Sequence, residues 1–261
     1  MNAAYERDGY AIVRAFVTDA AAAALVDAAI DLTHRHARGE DLAPTFVTPE
    51  QNLAAGAPAE PENAASKVFR VHQRSPFAEL AAQPELLDLV GPLLATEDID
   101  CFLSQFIFKS PGAWGQPCHQ DSFYFPFTPA RPVVGAWIAA TDATIENGCL
   151  WVVPGSHTEP VHAHVLDRRP NANLGYYEIV DHDLDAAQPV EMTAGDLLLF
   201  DSHLMHLSTD NRSPARRAAM VYHYAPAGTV DHTVEQRGYS INDWVPVRRA
   251  PRAARPAAGR T

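Results

Sequence analysis

A histidine and an aspartate two residues apart, His119 and Asp121 in the run Gln116-Pro-Cys-His-Gln-Asp-Ser-Phe-Tyr-Phe125, are the first residues of this chain that could do chemistry. Side chains alternate along a β-strand, so such a pair projects from one face and offers a metal two ligands. The candidate for a third is His206, 87 residues downstream in Phe200-Asp-Ser-His-Leu-Met-His-Leu-Ser-Thr-Asp-Asn211. Two histidines and a carboxylate on one face of a metal form the facial triad of non-haem Fe(II) oxygenases, which keeps positions open for co-substrate and oxygen. With 12 histidines in the chain the triplet alone is weak, and its neighbourhood has to strengthen it.

That neighbourhood supplies an anion clamp. Ser208 lies two residues after His206 and so shares its strand face, and Arg217 follows His206 by 11 residues at the entry to the next β-prone run. A metal at one end and a guanidinium fork at the other suit a dicarboxylate. The remaining histidines read as structural. His203, three residues from His206, falls on the opposite strand face. His157 belongs to a Pro-Gly-Ser-His turn, and His162 and His164 share a face but have no carboxylate or cysteine placed with them. Phe123, Tyr124, Phe125 and Trp151 read as core or pocket wall.

These residues need a rigid frame, and the chain spells one out. Residues 9–13 form a short strand, and Thr18 caps a helix over about residues 19–36 whose Leu25, Val26, Ala29, Ile30 and Leu32 make an apolar stripe. Residues 40–66 lack periodicity and read as a long loop or lid. A second helix begins at Pro84 with leucines at helical spacing. After Asp98 the pattern turns to short β-prone runs at 101–108, 117–125, 133–138, 149–153, 189–192, 196–200, 203–208 and 218–224, separated by turn signals such as Asn147-Gly148 and Pro154-Gly155. Eight such runs predict a mainly β fold, a double-sheet jelly roll with the N-terminal helices packed on one sheet. The tail from Arg248, with arginines among alanine, proline and glycine, reads as a frayed end.

Length and composition set the outer bounds. A chain of 261 residues fits one domain, with 1–98 mainly helical and 99–225 the jelly-roll core. Its formal net charge of −12 argues against a general electrostatic hold on nucleic acid or an anionic membrane and favours a small-molecule substrate. Three cysteines without CxxC spacing, Cys101, Cys118 and Cys149, suggest reduced core thiols. No apolar segment reaches membrane-spanning length, and Glu6, Arg7 and Asp8 stand where a signal peptide would need an apolar core, so a cytoplasmic location is expected.

Taken in order, His119-x-Asp121, Asn147-Gly-Cys-Leu150, Val153-Pro-Gly-Ser-His157, Gly195-Asp196 and His206-x-Ser-x-x-Asn211-x-Ser213, followed by Arg217, resemble the phytanoyl-CoA dioxygenase family of Fe(II)/2-oxoglutarate oxygenases over about residues 75–225. The resemblance implies that His119, Asp121 and His206 hold iron. It implies that Arg217 and Ser208 take the distal carboxylate of 2-oxoglutarate, and that Gln105 and Trp137 line the co-substrate pocket. Arg216 is the competing arginine, which strand alternation turns outward. The implied reaction hydroxylates or otherwise oxidises an unactivated C–H bond with O₂, releasing succinate and CO₂. Three rivals stay in view. A related halogenase would have a small residue where Asp121 stands, a non-catalytic metal-binding jelly roll would not need Arg217 and Ser208, and a zinc hydrolase would work without O₂. Substrate specificity is expected in residues 40–66 and 165–185.

Overall fold

The computed structural model describes residues 1–56 and 60–251. In chain order the strands are β1 (Tyr10–Val13), β2 (Phe46–Pro49), β3 (Ala65–Phe69), β4 (Ile99–Lys109), β5 (Phe127–Thr128), β6 (Val134–Ala139), β7 (Leu150–Val152) and β8 (His164–Leu166). They continue with β9 (Tyr177–Ile179), β10 (Gln188–Val190), β11 (Leu197–Asp201), β12 (His206–Ser208), β13 (Arg217–Pro226), β14 (Val230–Asp231) and β15 (Val245–Arg248). The helices are α1 (Asn2–Asp8), α2 (Asp19–Ala37), α3 (Pro61–Ala64), α4 (Phe77–Ala81), α5 (Pro84–Leu94) and α6 (Thr233–Arg237).

A large antiparallel sheet runs β1-β11-β6-β13-β4-β3-β2, with β15 added to the start of β4. Its central strands β13, β6 and β11 are buried almost throughout, covered on both faces, with the few polar side chains of β13 and β4 gathered mainly on the inner one. Alternation divides them cleanly. Ala218, Met220, Tyr222 and Tyr224 of β13 face the helices, whereas Ala219 and Val221 face a small sheet of β10-β7-β12. The inner core joins Trp137, Leu198, Phe200 and Val221 of the large sheet to Val152 and Val190 of the small one. Two sheets closed over one another in this way form the expected double-stranded β-helix, or jelly roll.

The helical layer follows from the sequence pattern. The Thr18 hydroxyl accepts from Ala21 N, and buried Ala22, Leu25, Ala29 and Leu32 form the stripe that α2 lays on the sheet. Tyr222 and Tyr224 cross the same layer and donate their hydroxyls to Phe77 O and Ala81 O at 2.7 and 3.0 Å. A tyrosine buried there needs such a partner, so these two bonds fix α4 against β13.

Three expectations change. Residues 40–66 are not a structureless loop: β2 and β3 form an antiparallel pair on the sheet edge, with α3 between them, while residues 57–59 lie outside the description. The strands are too short, four and five residues, for their alternation to register in composition. Residues 117–125 are not a strand either. His119 makes one bridge to His206, and residues 121–124 then wind into a 3₁₀ turn. The tail does not fray at Arg248, because β15 pairs with β4 and Arg248 bridges to Asp88 and Glu97 at 2.6 Å each. Residues 252–261 of that tail lie outside the described residues. No helix among the described residues is long and apolar enough to cross a membrane.

Candidate metal and co-substrate site

His119 and His206 are neighbours across an antiparallel bridge, each backbone N–H donating to the other's carbonyl at 2.9 and 3.0 Å. Their rings are oriented by the main chain. His119 Nδ1 donates to Pro117 O at 2.8 Å, and His206 Nδ1 donates to Leu204 O at 2.9 Å. In the neutral rings this leaves the lone pair on Nε2, and both Nε2 atoms lie near one place, where Asp121 Oδ1 is 3.5 Å from His119 Nε2 and 3.8 Å from His206 Nε2. All three ligand atoms lie within 4.8 Å of one another and all three residues are buried. Burial first, then the neighbouring His119, pushes His206 down to about 4, so its ring is neutral and free to ligate.

Asp121 reaches this point from the 3₁₀ turn rather than from a strand. The turn exists because Gln120 leaves the ladder: its amide donates to Pro160 O and His203 O, and Ser122 N takes Ser202 O. The second Asp121 oxygen, Oδ2, accepts from His223 Nε2 at 2.8 Å in a pocket of Phe102, Phe125 and Phe200 rings. Burial works to raise the Asp121 carboxyl, but the charges and hydrogen bonds of the surrounding histidines outweigh it and hold the group well below its ordinary value. His223 was not singled out from the sequence, although Arg217, Ala219, Val221 and His223 follow the period of two that puts them on one face of β13.

The anion end is built around Arg217, which is 2% exposed. Its Nη2 donates to Gly148 O at 3.0 Å, while Nε and Nη1 find no partner among the described residues. Trp137 Nε1, with the Arg217 guanidinium carbon 5.6 Å from its ring centre, is a third buried N–H without an acceptor. Buried donors are paired in the great majority of cases, so three orphans around one cavity mark the place of a missing acceptor such as a carboxylate. Burial lowers Arg217 only to about 10, leaving it charged at neutral pH. Ser208 Oγ accepts from Lys109 Nζ and Gln116 N, which leaves its hydroxyl hydrogen free to donate. Glycine is needed where these loops meet. A Cβ on Gly115 would fall 1.9 Å from Ser208 O, and Gly148 sits at φ 83° with its missing Cβ 2.4 Å from Thr209 O.

Arg216 lies outside this cavity on the other face, over the Phe108 ring and bonded to Asn63. One cavity of about 340 Å³ joins the parts, lined by His119, Asp121, His206, Ser208, Arg217, Gln105 and Trp137 together with Lys67 and Lys109. The two lysines were passed over in the sequence. Gln105, Ile107 and Lys109 follow alternation along β4, and Lys109 is buried, pushed well below its ordinary value by burial and then by the Arg217 charge. Phe46, residues 48–51 and residues 173–177, from the two regions expected to govern specificity, also form its walls, and so do Thr233, Arg237, Tyr239, Ile241 and Asn242, which carried no signal in the sequence. The surface histidines differ from expectation. His162 does have carboxylates beside it, Glu159 at 2.9 Å and Asp181 at 3.3 Å, because the chain folds back between residues 159 and 182. His164 points elsewhere, accepting from Gln120 N and stacking on Phe123. His203 and His157 take no place in the cavity.

Comparison with known proteins gives a family and a fold. A family model described as phytanoyl-CoA dioxygenase matches residues 5–219. A relative from Rattus norvegicus, phytanoyl-CoA dioxygenase domain-containing protein 1, is 34% identical over 179 residues, 65% of this chain and 60% of its own length. The chain thus spans about three fifths of that relative. Among solved structures, the epimerase SnoN in complex with Fe3+, alpha ketoglutarate and nogalamycin RO superposes with a TM-score of 0.64 at 21% identity, over 88% of this chain and 83% of its own. EctD from S. alaskensis, with 2-oxoglutarate and 5-hydroxyectoine, gives 0.63 at 24% identity over 86% and 74%. At such identities these two structures share the fold.

Proposed function

The chain belongs to the phytanoyl-CoA dioxygenase family, and on that premise we propose that it is an Fe(II)/2-oxoglutarate-dependent oxygenase that oxidises an unactivated C–H bond of a small molecule. The observation that carries this reading is Arg217: a buried guanidinium with two unpaired N–H groups, in the same cavity as a His-Asp-His cluster. A zinc hydrolase or a structural metal site would need the cluster and leave Arg217 and Trp137 without purpose.

The residues divide the work. His119, Asp121 and His206 would hold iron, whose imidazole and carboxylate donors suit that metal and leave positions for co-substrate and O₂. Bound iron and 2-oxoglutarate supply the oxidising chemistry, with succinate and CO₂ as the spent products. Arg217 holds the distal carboxylate through its free N–H groups, and Ser208 donates its hydroxyl to the same group. Lys109 donates to Ser208 Oγ and so orients that hydroxyl toward the same end. His223 keeps Asp121 Oδ2 occupied, so Oδ1 is the oxygen presented to the metal. Phe69, Leu103, Phe125 and Val221 close the walls with apolar surface that excludes water from the reacting groups. Hydroxylation is favoured over halogenation because Asp121 fills the place a halide would need. The three cysteines are free and buried, which suits a reducing compartment such as the cytoplasm.

Succinate formation under Fe(II), 2-oxoglutarate and O₂, measured across candidate substrates with mass spectrometry for a gain of one oxygen, tests the proposal. Activity that persists without O₂, or with zinc in place of iron, would point to the hydrolase instead.

A further inference from the structure

The cavity has two cationic ends, and the co-substrate reading uses only one of them. Lys109 and Arg217 stand at the inner end beside Ser208, and Lys67 Nζ is engaged with Gln116 Oε1 next to the triad. The opening lies elsewhere, among lining residues that reach solvent: Leu174 is 90% exposed and Tyr239 62%. Arg237, the last residue of α6, lines the cavity on this outer side. Its Nη2 donates to Phe123 O at 2.7 Å, and its guanidinium carbon lies 5.3 and 5.7 Å from the Phe123 and Tyr124 ring centres. Tyr124 in turn stands edge-on to His119, ring centres 6.0 Å apart. Arg237 is therefore one aromatic ring away from the proposed metal.

Its charge is unanswered. Among the described residues no carboxylate oxygen lies within 4 Å of Arg237, although nine of the fifteen described arginines are ion-paired. The acids beside it in sequence are already occupied. Asp231 accepts from Thr233, Asn242 and Trp244, and Glu235 pairs with His232 at 3.0 Å. The Asp231 network ties Thr233, Asn242 and Trp244 together around it, and Arg237 itself is anchored by its bond to Phe123 O and its packing on two rings. One nitrogen of its fork donates to Phe123 O, and among the described residues the others make no hydrogen bond. Between Arg237 and the triad the wall is apolar, with Phe46, Phe69, Leu103, Phe125 and Ile241 packed together.

From this polarity we propose that the substrate is an amphipathic organic acid, whose apolar body lies along the Phe46–Phe125 wall and whose single carboxylate is received by Arg237. Arg237 is the only arginine besides Arg217 among the described lining residues, and Arg70 nearby is turned onto the carbonyls of residues 240–242, so one guanidinium faces the substrate here; it suits one carboxylate, whereas the several phosphates of a CoA thioester would call for more. Arg237 is thereby a specificity-determining residue. The inference rests on the oxygenase reading only for the orientation of the body toward the metal.

The test is calorimetry on the Fe(II)- and 2-oxoglutarate-loaded protein without O₂, using octanoate and 4-phenylbutyrate beside their methyl esters. The expected result is that at least one acid binds tenfold or more tightly than its ester. Arg237→Gln should erase that preference by weakening the acid and leaving the ester unchanged, and Arg237→Lys should restore part of it. A purely structural role would weaken acid and ester alike and lower the Tm. Equal binding of acid and ester by the wild-type chain, no binding of either, or a preference that survives Arg237→Gln overturns the proposal. If the protein fails to take up 2-oxoglutarate, the oxygenase reading falls separately, and the same acid-against-ester comparison on the metal-free protein still decides the role of Arg237.

Discussion

Replacing Arg217 with leucine separates the anion clamp from the metal. The wild-type guanidinium is buried, makes one hydrogen bond to Gly148 O and leaves two N–H groups unpaired. Truncating a buried guanidinium that pairs with a carboxylate costs on the order of 2 to 5 kcal/mol, much of it from leaving the carboxylate alone. At about 1.4 kcal/mol per tenfold, 2-oxoglutarate affinity should fall roughly 30-fold to several thousandfold. The ligand-free protein should respond in the opposite sense. It loses an incompletely satisfied buried charge, so Arg217→Leu should leave its Tm unchanged or raise it. Calorimetric titration with 2-oxoglutarate, iron content and thermal unfolding read the three quantities, and iron content should stay near wild type. Arg216→Leu is the control, because that side chain packs over Phe108 on the far face and pairs with Glu62 at 3.7 Å. If Arg216→Leu weakens 2-oxoglutarate and Arg217→Leu does not, the assignment of the clamp is wrong; if neither does, the co-substrate assignment itself fails.

Further outcomes follow from the same geometry. His223→Leu frees Asp121 Oδ2, and Fe(II) affinity, read by competition with a chromophoric chelator, should fall about 10- to 100-fold, with His223→Gln recovering part of it because the amide still donates; equal affinity in all three proteins would remove His223 from the site. Ser208→Ala deletes one donor to the distal carboxylate, worth about 1 to 2 kcal/mol, so the 2-oxoglutarate Kd should rise roughly 5- to 30-fold while Fe(II) binding holds. In the metal-free protein, His206 titrates near 4 folded against an ordinary 6.5 unfolded. Between those values the unfolded chain binds a proton that the folded one does not, so stability should decline as pH falls from about 6.5 to 4, by up to on the order of 3 kcal/mol from this group. His206→Asn should flatten that slope in thermal melts, and a slope identical to wild type would show that His206 is not the group responsible.

How much of this was legible in the sequence depends on the range of the interactions involved. The jelly roll, α2 with its Thr18 cap, and the inward turn of Arg217 rest on local periodicity, which the residues themselves carry. Lys109 and His223 were legible by the same rule, since alternation from Gln105 and from Arg217 reaches them, but a lysine and a histidine inside a sheet acquire meaning only once the cavity is seen. The 3₁₀ turn at Asp121 was not legible. It depends on Gln120 bonding to His203 O and Pro160 O, residues 83 and 40 positions away. The rim at 231–244 depends likewise on one carboxylate, Asp231, gathering donors from three residues, Thr233, Asn242 and Trp244, in a stretch with no periodic pattern.

The reciprocal backbone bonds between His119 and His206 carry a consequence for metal competition. They make the separation of the two imidazoles a property of the sheet, present before any ion arrives. Such a ready-made seat offers no geometric obstacle to rival divalent ions, and imidazole–carboxylate donors favour nickel, copper and zinc over ferrous iron. Iron must then prevail by supply rather than by selection. Exposure to micromolar zinc or copper should leave a well-folded, poisoned protein, and a chelator followed by Fe(II) should return it to work without a refolding step.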